Sequence, residues 1–433
     1  MLALDVHLEG VAGPVAELAR DDHGRTSLRY LREDLPHPLS LSLPVREAPY
    51  GDAQTRGFFA NMMFENNQQL DQVLARYRLE RSDFVGLLEH LGSDCPGAIS
   101  VGPKGQGGAK IPGDMSRDYD PLTPEDLHQI IADLRDRRPP LGQRKDPSPL
   151  AGVQGKLALT RLSDGRFALP KAGRRVPTTH ILKVPRASEM ALVGQEQAAM
   201  ALLARLVDHP VAQTEILGEG ELRGLLVTRF DRHIHGETLH RIHQEDFAQA
   251  LGLPPLLKYT RNAGPGARFD AEAMGRIIAA CASPGAARLA LFTLTMANLL
   301  LGNSDNHAKN HALLWQGPRP DLAPAYDVLP IIMDREVTHE LAFPIGHARL
   351  LDEVTHSDLD QFARALGMRR ITAALQGRIR SLLGTAFEAH ALMRGPQSKG
   401  LRDVIAEQGS HLAQLFAYDD PIPEGDLVPL NRP

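Results

Sequence analysis

The run Leu289–Leu301 constrains this chain more than any other stretch. Thirteen residues, nearly all apolar, are too greasy for a solvated surface and too few for a membrane span, which needs about 20. The run therefore reads as an apolar helix of a globular protein. Directly after it comes Gly302-Asn303-Ser304-Asp305-Asn306-His307-Ala308-Lys309-Asn310, so a dense polar loop leaves the C-terminal end of an apolar helix. Loops fixed to a rigid core are where chemistry is most often carried.

The texture on either side divides the chain. Upstream, Leu157–Thr160, Arg166–Leu169 and Thr179–Val184 read as successive strands joined by Gly- or Pro-containing turns. A helix near Met190–Leu206 follows, then strands around Glu215–Leu217 and Leu225–Val227. From about residue 240 to about 417 the pattern is largely helical. Residues 1–102 read as a separate α+β unit, with a strand at Leu39–Pro44, helices at Phe58–Phe64, Leu70–Tyr77 and Phe84–Leu91, and a strand at Gly97–Val101. A connector over 103–149, rich in Gly, Pro and Asp, carries one amphipathic helix at Pro124–Arg137. The expected division is 1–102, 103–149, a β-rich lobe over 150–238, a helical lobe over 239–418 and a flexible tail over 419–433.

Composition narrows the setting. A 433-residue chain that is 42% hydrophobic and 23% charged is an ordinary globular one, large enough for two or three lobes. Its net charge of -5 gives no basic footprint for nucleic acid, so DNA would be reached through a partner. Cys95 and Cys281 make neither a disulfide framework nor a zinc set and fit a reducing cytoplasm. The N-terminus shows no signal peptide pattern, and a cytoplasmic protein is expected.

The polar loop has the chemistry of phosphoryl transfer. Such transfer needs a carboxylate to orient the attacking hydroxyl and accept its proton, and oxygen ligands for Mg²⁺ on the phosphates. Asp305 with Asn310 five residues later matches the D-x-x-x-x-N of kinase catalytic loops. A second carboxylate, Asp327, follows beyond the short apolar strand His311–Trp315, and that hairpin can return it beside Asn310. Upstream, Ala151-Gly152-Val153-Gln154-Gly155-Lys156 offers two glycines that let backbone N–H groups approach phosphates. Lys183 ends an alternating strand and can reach the phosphates, with Glu196 on the next helix able to hold it. Thr228 and Phe230 close the strand section where a hinge would meet adenine. Singly, each feature also has a bland reading: a hairpin turn, an edge-strand Lys with a solvated Glu, a core Phe, a helix-capping loop. Their shared order, that of a bilobal kinase, is the argument.

The sequence resembles the HipA family of bacterial toxin kinases over nearly its whole length. The likeness lies in Pro38-Leu39-Ser40-Leu41-Ser42-Leu43-Pro44, Leu91–Ala98, Ala151–Lys156, Thr178–Lys183, Arg229–Arg232 and His243-Gln244-Glu245-Asp246-Phe247. It continues in Lys258-Tyr259 with Gly264-Pro265-Gly266, in Asp305–Asn310 and in Tyr326-Asp327. The resemblance implies an α+β, protein-kinase-like bilobal fold with an extra N-terminal subdomain. It implies Asp305 as the catalytic base, Asn310 and Asp327 on Mg²⁺, and ATP held by Ala151, Gly152, Val153, Gln154, Lys183, Glu196, Thr228, Phe230, His307 and Lys309. It further implies a HipB-like helix-turn-helix antitoxin that carries the chain to operator DNA, and an aminoacyl-tRNA synthetase as the phosphorylated target. One departure stands out: Pro149 occupies the place of the family's autophosphorylated serine, with Ser148 one residue earlier. Ser148 either takes over that role or the self-inactivation is absent. A small-molecule phosphotransferase using the same groups, and a non-catalytic corepressor working with a DNA-binding partner, are the competing readings.

Overall fold

The computed structural model describes residues 1–63, 68–92, 95–106, 110–140, 155–264, 266–395 and 398–432. They form two units, each assembled from separated segments. The first holds Met1–Met190, Glu215–Pro255 and Leu313–Pro320; the second holds Ala191–Thr214, Leu256–Ala312 and Asp321–Pro433.

The first unit begins with a four-stranded antiparallel sheet, in the order Thr26–Tyr30, Ala16–Arg20, Leu2–Leu8, Ile99–Pro103. Its core of Leu4, Val6, Leu18 and Leu28 is completed by Phe58 and Phe59 of helix Asp52–Phe59 and by Leu87 and Leu88 of helix Phe84–Leu91. The second helix starts where Asp83 accepts a hydrogen bond from the Gly86 N–H at 2.9 Å, satisfying one of the donors every helix start leaves open.

A six-stranded sheet follows, ordered Thr214–Glu219, Leu222–Thr228, His180–Val184, Gly155–Arg161, Phe167–Pro170, Tyr119–Pro121. Helix Pro124–Arg135 lays Ile130, Ile131 and Leu134 against Leu159, Leu182, Val184 and Leu226 of that sheet. Its start is legible in the sequence: Thr123 and Asp126 form a reciprocal capping box, with Pro124 at the first helical position. Burial of these aliphatic side chains, roughly 1.5–3 kcal/mol each, holds the helix down.

Residues Leu39–Pro44 are not the strand that their alternation predicts. Only an isolated bridge, Ser40 to Leu43, forms there. Leu39 and Leu43 are fully buried anchors, while the intervening hydroxyls bond elsewhere: Ser40 Oγ to the Glu245 carboxyl and Ser42 Oγ to the Gln249 carbonyl at 2.7 Å. A period of two can arise from a turn with two apolar feet as well as from a pleated strand.

The second unit is mostly helical: Ala191–Leu206, Ala271–Ala280, Pro284–Leu300, His356–Ala365, Ala373–Leu392 and Lys399–Leu415. Helix Pro284–Leu300 is central, touching Ala271–Ala280, Ala373–Leu392 and Lys399–Leu415. It buries Leu291, Phe292, Met296, Ala297 and Leu300, as the apolar run requires. The expected helical texture is interrupted over 302–355, which carries only short strands and single 3-10 turns. Gly, Asn and Pro are dense there, and each favours turns over a continuous helix. Among the described residues no helix is long and apolar enough to cross a membrane.

Candidate active site

The helix Pro284–Leu300 ends in a loop that its own last turn holds in place. Gly302 has φ +66°, and a Cβ there would come within 2.7 Å of Ile332 Cγ1 and Cδ1, so only glycine fits. The Asn303 side-chain amide donates to Asn298 Oδ1 at 2.7 Å, and Asn298 Nδ2 donates to the Leu294 carbonyl at 2.8 Å. Asn303 Oδ1 in turn accepts from the Asp305 N–H at 3.2 Å. A chain of amides thus runs from the interior of the helix to the backbone of Asp305.

Asp305 is also where the loop closes. Its carbonyl accepts the His307 N–H at 2.8 Å and Asn310 Nδ2 at 2.9 Å. The five-residue interval between Asp and Asn is therefore structural as well as chemical, since the amide of Asn310 folds back onto Asp305. Most of the loop is buried, including Asn303, Ser304, Asn306, His307 and Lys309, whereas Asp305 and Asn310 are half-exposed.

The carboxyl of Asp305 accepts the Tyr259 hydroxyl at 2.6 Å. Burial pushes this carboxyl above the usual aspartate range, and the nearby negative charge of Asp327 pushes the same way. The Tyr259 hydrogen bond and the cations of Lys258 and Arg261 act against that rise. That the charge of Asp327 is felt at Asp305 means the two carboxylates share one neighbourhood. The intervening chain makes this possible: the Ala323 N–H donates to the Ala312 carbonyl at 2.9 Å, and the Tyr326 hydroxyl donates to the Lys309 carbonyl at 2.7 Å. Asp327 itself sits at φ +60°, a left-handed conformation that few residues other than glycine adopt cheaply.

The donor set suits a hard cation. Asn310 spends its amide N–H on Asp305, which leaves the amide oxygen as its ligand end, and Asp327 supplies a carboxylate. Mg²⁺ is commonly held by one or two such oxygens together with phosphates and water rather than by an all-protein cage. Among the described residues no group of three His, Cys, Asp or Glu side chains forms such a cage.

The remaining predicted residues are distributed as follows. Lys183 is 9% exposed on strand His180–Val184, directly opposite Lys156 on one neighbouring strand and Leu225 on the other. Glu196 is buried on helix Ala191–Leu206, in the other unit. Thr228 ends strand Leu222–Thr228, paired with His180, and Phe230 lies in the turn just beyond. That turn is fixed by buried Asp231, which meets Arg229 at 2.9 Å and Arg232 at 2.7 Å. Burial alone would raise its pKa, but the two guanidinium groups win and hold it well below the usual carboxylate range. His307 places its ring edge-on to Tyr259, with centroids 5.1 Å apart. Ser148, Ala151, Gly152, Val153 and Gln154 lie outside the described residues.

Spacing arguments assigned no role to Tyr259, Arg261 or Lys156. Lys258-Tyr259 is among the segments that carry the family likeness, but no role came with it. Lys156 was visible only as the end of the glycine turn, because strand register decides what it faces.

Comparison with known proteins gives the family and the fold. The model of the HipA N-terminal domain matches residues 4–102, and that of the HipA-like C-terminal domain matches residues 148–388. Y4mE of Sinorhizobium fredii, which is named as a kinase, is 33% identical over 382 residues, covering 87% of this chain and 89% of that protein. The serine/threonine-protein kinase toxin HipA of Shewanella oneidensis is 28% identical over 424 residues, covering 95% and 94%. The solved complex of Shewanella oneidensis HipA with HipB and its operator DNA includes a chain that superposes with a TM-score of 0.74 at 27% identity, covering 95% of this chain and 96% of that one. The fold is thereby the α+β, kinase-like one.

Proposed function

The chain belongs to the HipA family, and on that premise we propose that it is a serine/threonine protein kinase toxin of a toxin–antitoxin module. The observation that carries this reading is the Asp305–Asn310 loop, in which the Asn310 amide folds back onto the Asp305 backbone carbonyl and the charge of Asp327 acts on the Asp305 carboxyl.

In the proposed reaction Asp305 accepts the proton of an incoming Ser or Thr hydroxyl as that oxygen attacks the γ-phosphorus of ATP, whose bond to the β–γ bridging oxygen breaks to release ADP. Asn310 and Asp327 hold Mg²⁺, which supplies charge neutralisation on the phosphates. Lys183 meets the phosphates from its strand, together with Ala151, Gly152, Val153 and Gln154 of the preceding turn, and Glu196 orients Lys183. His307 and Lys309 add contacts from the loop, and the backbone around Thr228 and Phe230 receives adenine. Most of the rate acceleration in such a site comes from fixed geometry and electrostatics rather than covalent chemistry.

The biological setting is proposed from the family resemblance. A HipB-like antitoxin is the proposed partner, with operator DNA reached through it, in keeping with the net charge of -5. An aminoacyl-tRNA synthetase, such as glutamyl-tRNA synthetase, is the proposed target, and its phosphorylation would arrest translation and growth in the cytoplasm. Ser148 is the proposed site of autophosphorylation.

The test is phosphoproteomics after brief expression, with Asp305→Gln as control. Wild type should add phosphate to a small set of proteins and arrest growth, while Asp305→Gln should do neither and still bind the antitoxin. Equal toxicity of the two at matched expression would remove the catalytic assignment. Label from ATP appearing only in small metabolites would favour a small-molecule phosphotransferase instead.

A further inference from the structure

We infer that Tyr259 is a positioning residue for the phosphoryl transfer, with Lys258 and Arg261 stacked on its ring, fixing the Asp305 carboxylate so that one oxygen alone is left to take the substrate proton. The inference rests on reading Asp305 as the catalytic carboxylate and extends that reading to residues to which the sequence motifs gave no role.

Asp305 stands on a loop, and an aspartate side chain there has two torsions to settle. One carboxylate oxygen, Oδ1, is occupied by the Tyr259 hydroxyl at 2.6 Å, which sets the plane of the group and leaves Oδ2 for the acceptor. The tyrosine can enforce this because its own backbone is tied to the backbone of the loop through a single residue. The Ala342 N–H donates to the Ser304 carbonyl at 3.0 Å, and the Ala342 carbonyl accepts the Thr260 N–H at 2.9 Å. Residue 342 thus joins the neighbour of Asp305 to the neighbour of Tyr259. Further ties hold the segment: Thr260 Oγ1 donates to the Phe269 carbonyl, Arg261 Nη1 to the Glu340 carbonyl at 3.3 Å, and Asn262 Nδ2 to the Leu256 carbonyl at 3.0 Å.

The ring is held as firmly as the backbone. The Arg261 guanidinium lies 3.9 Å from its centroid and Lys258 Nζ lies 5.4 Å away, both within cation–π range. His307, two residues beyond Asp305, packs edge-on against it. A phenol that merely blocked the acceptor position would need to swing away for each turnover, breaking these contacts every time. The arrangement favours a fixed brace. Misplacement of a reacting group by about 1 Å can cost on the order of 100-fold in rate, which sets the scale of what such a brace protects.

The experiment uses the purified full chain with Tyr259→Phe, Arg261→Gln and Asp305→Gln. Transfer from γ-labelled ATP into total protein of a lysate lacking the chain gives the rate at saturating MgATP and the KM for ATP. Tyr259→Phe should lower the rate about 10- to 100-fold while the KM for ATP stays within about twofold, in protein whose circular dichroism and thermal melting match wild type, so that a smaller folded fraction does not account for the loss. Arg261→Gln should lower it less, in the same direction. If Asp305→Gln retains transfer, the catalytic reading fails and Tyr259 loses its role with it. If Asp305→Gln is inactive but Tyr259→Phe matches wild type, the positioning inference alone is overturned; a faster Tyr259→Phe overturns it in favour of an obstructing phenol. Should Tyr259→Phe not fold, Arg261→Gln decides: a fall of at least about threefold at unchanged KM supports the brace, and a wild-type rate refutes it.

Discussion

Replacing Glu245 by glutamine should change the pH dependence of stability more than stability itself. Glu245 is fully buried, and its carboxyl accepts the Leu41 N–H and the Trp315 indole N–H, each at 3.1 Å, and lies against Ser40 Oγ. Burial pushes its pKa up to about 8, with the charge of Asp246 adding to the rise and the three hydrogen-bond donors opposing it. A protonated Glu245 can donate to Ser40 Oγ, which has the Gln249 carbonyl at 3.3 Å to pass its own proton toward. The folded state then holds a proton that the unfolded chain releases above its ordinary value of 4.5. The contribution to stability is complete below that value and is lost as pH rises towards about 8, at up to ~1.4 kcal/mol per pH unit. Glutamine keeps the geometry, donating to Ser40 Oγ and accepting from Leu41 and Trp315, but it does not titrate. Between pH 5 and pH 8 the wild type should therefore lose up to ~4 kcal/mol relative to Glu245→Gln. Urea unfolding followed by tryptophan fluorescence reads this directly, because Trp315 is the sole tryptophan and touches the group in question. A stability difference between the two proteins that is flat from pH 5 to pH 8, or that grows towards acid, would refute the reasoning. Glu245→Ala is the contrasting change: it strands two buried N–H donors, at about 1–3 kcal/mol each, at any pH.

Other outcomes are sharp enough to check. Asp327→Ala should abolish Mg²⁺-dependent ATP binding measured by calorimetry, whereas Asp327→Asn, which tolerates the left-handed backbone, should weaken it without loss of thermal stability. Gly302→Ala should lower stability by at least ~1–3 kcal/mol in urea titration, since the new methyl meets Ile332 in a backbone conformation that disfavours it. Glu9→Gln removes the carboxylate that lies 2.7 Å from the buried Arg241 guanidinium and should lower stability by about 1.5–3 kcal/mol in urea titration. Phosphopeptide mapping after incubation with ATP should find phosphate on Ser148, and its presence elsewhere or nowhere removes that role.

How much of this was legible beforehand depended on whether the signal was local. The helix Pro124–Arg135 was legible in its apolar face of Leu127, Ile130, Ile131 and Leu134, because a helical period is a signal carried within a few turns. The apolar run at Leu289–Leu301 predicted the central helix, which in fact starts five residues sooner, at Pro284, because the exposed first turn carries no apolar signature. Asp305, Asn310 and Asp327 could be nominated because the chemistry of phosphoryl transfer dictates residue types in a fixed order. Tyr259 could not be, since its partner is 46 positions away and only the tether through Ala342 brings the two together. The alternation at Leu39–Pro44 misled for a related reason: what it encoded was a set of bonds to Glu245 and Gln249, some 200 positions distant. The motif His243–Phe247, without a chemical role in the sequence, emerges as the other half of that clasp.

The interleaved path of the chain has a consequence for its birth on the ribosome. Glu245 lies in the first unit, yet its partner Trp315 is 70 residues further along and belongs to the segment Leu313–Pro320 that completes the same unit. At translation speeds of about 5–20 residues per second, roughly 4–14 seconds separate the two. Throughout that interval a carboxyl destined for a dry interior stays wet and ionised. An emerging chain thus lacks a finished first unit until nearly three-quarters of it has been made, a delay during which a partner or a chaperone meets an incomplete molecule.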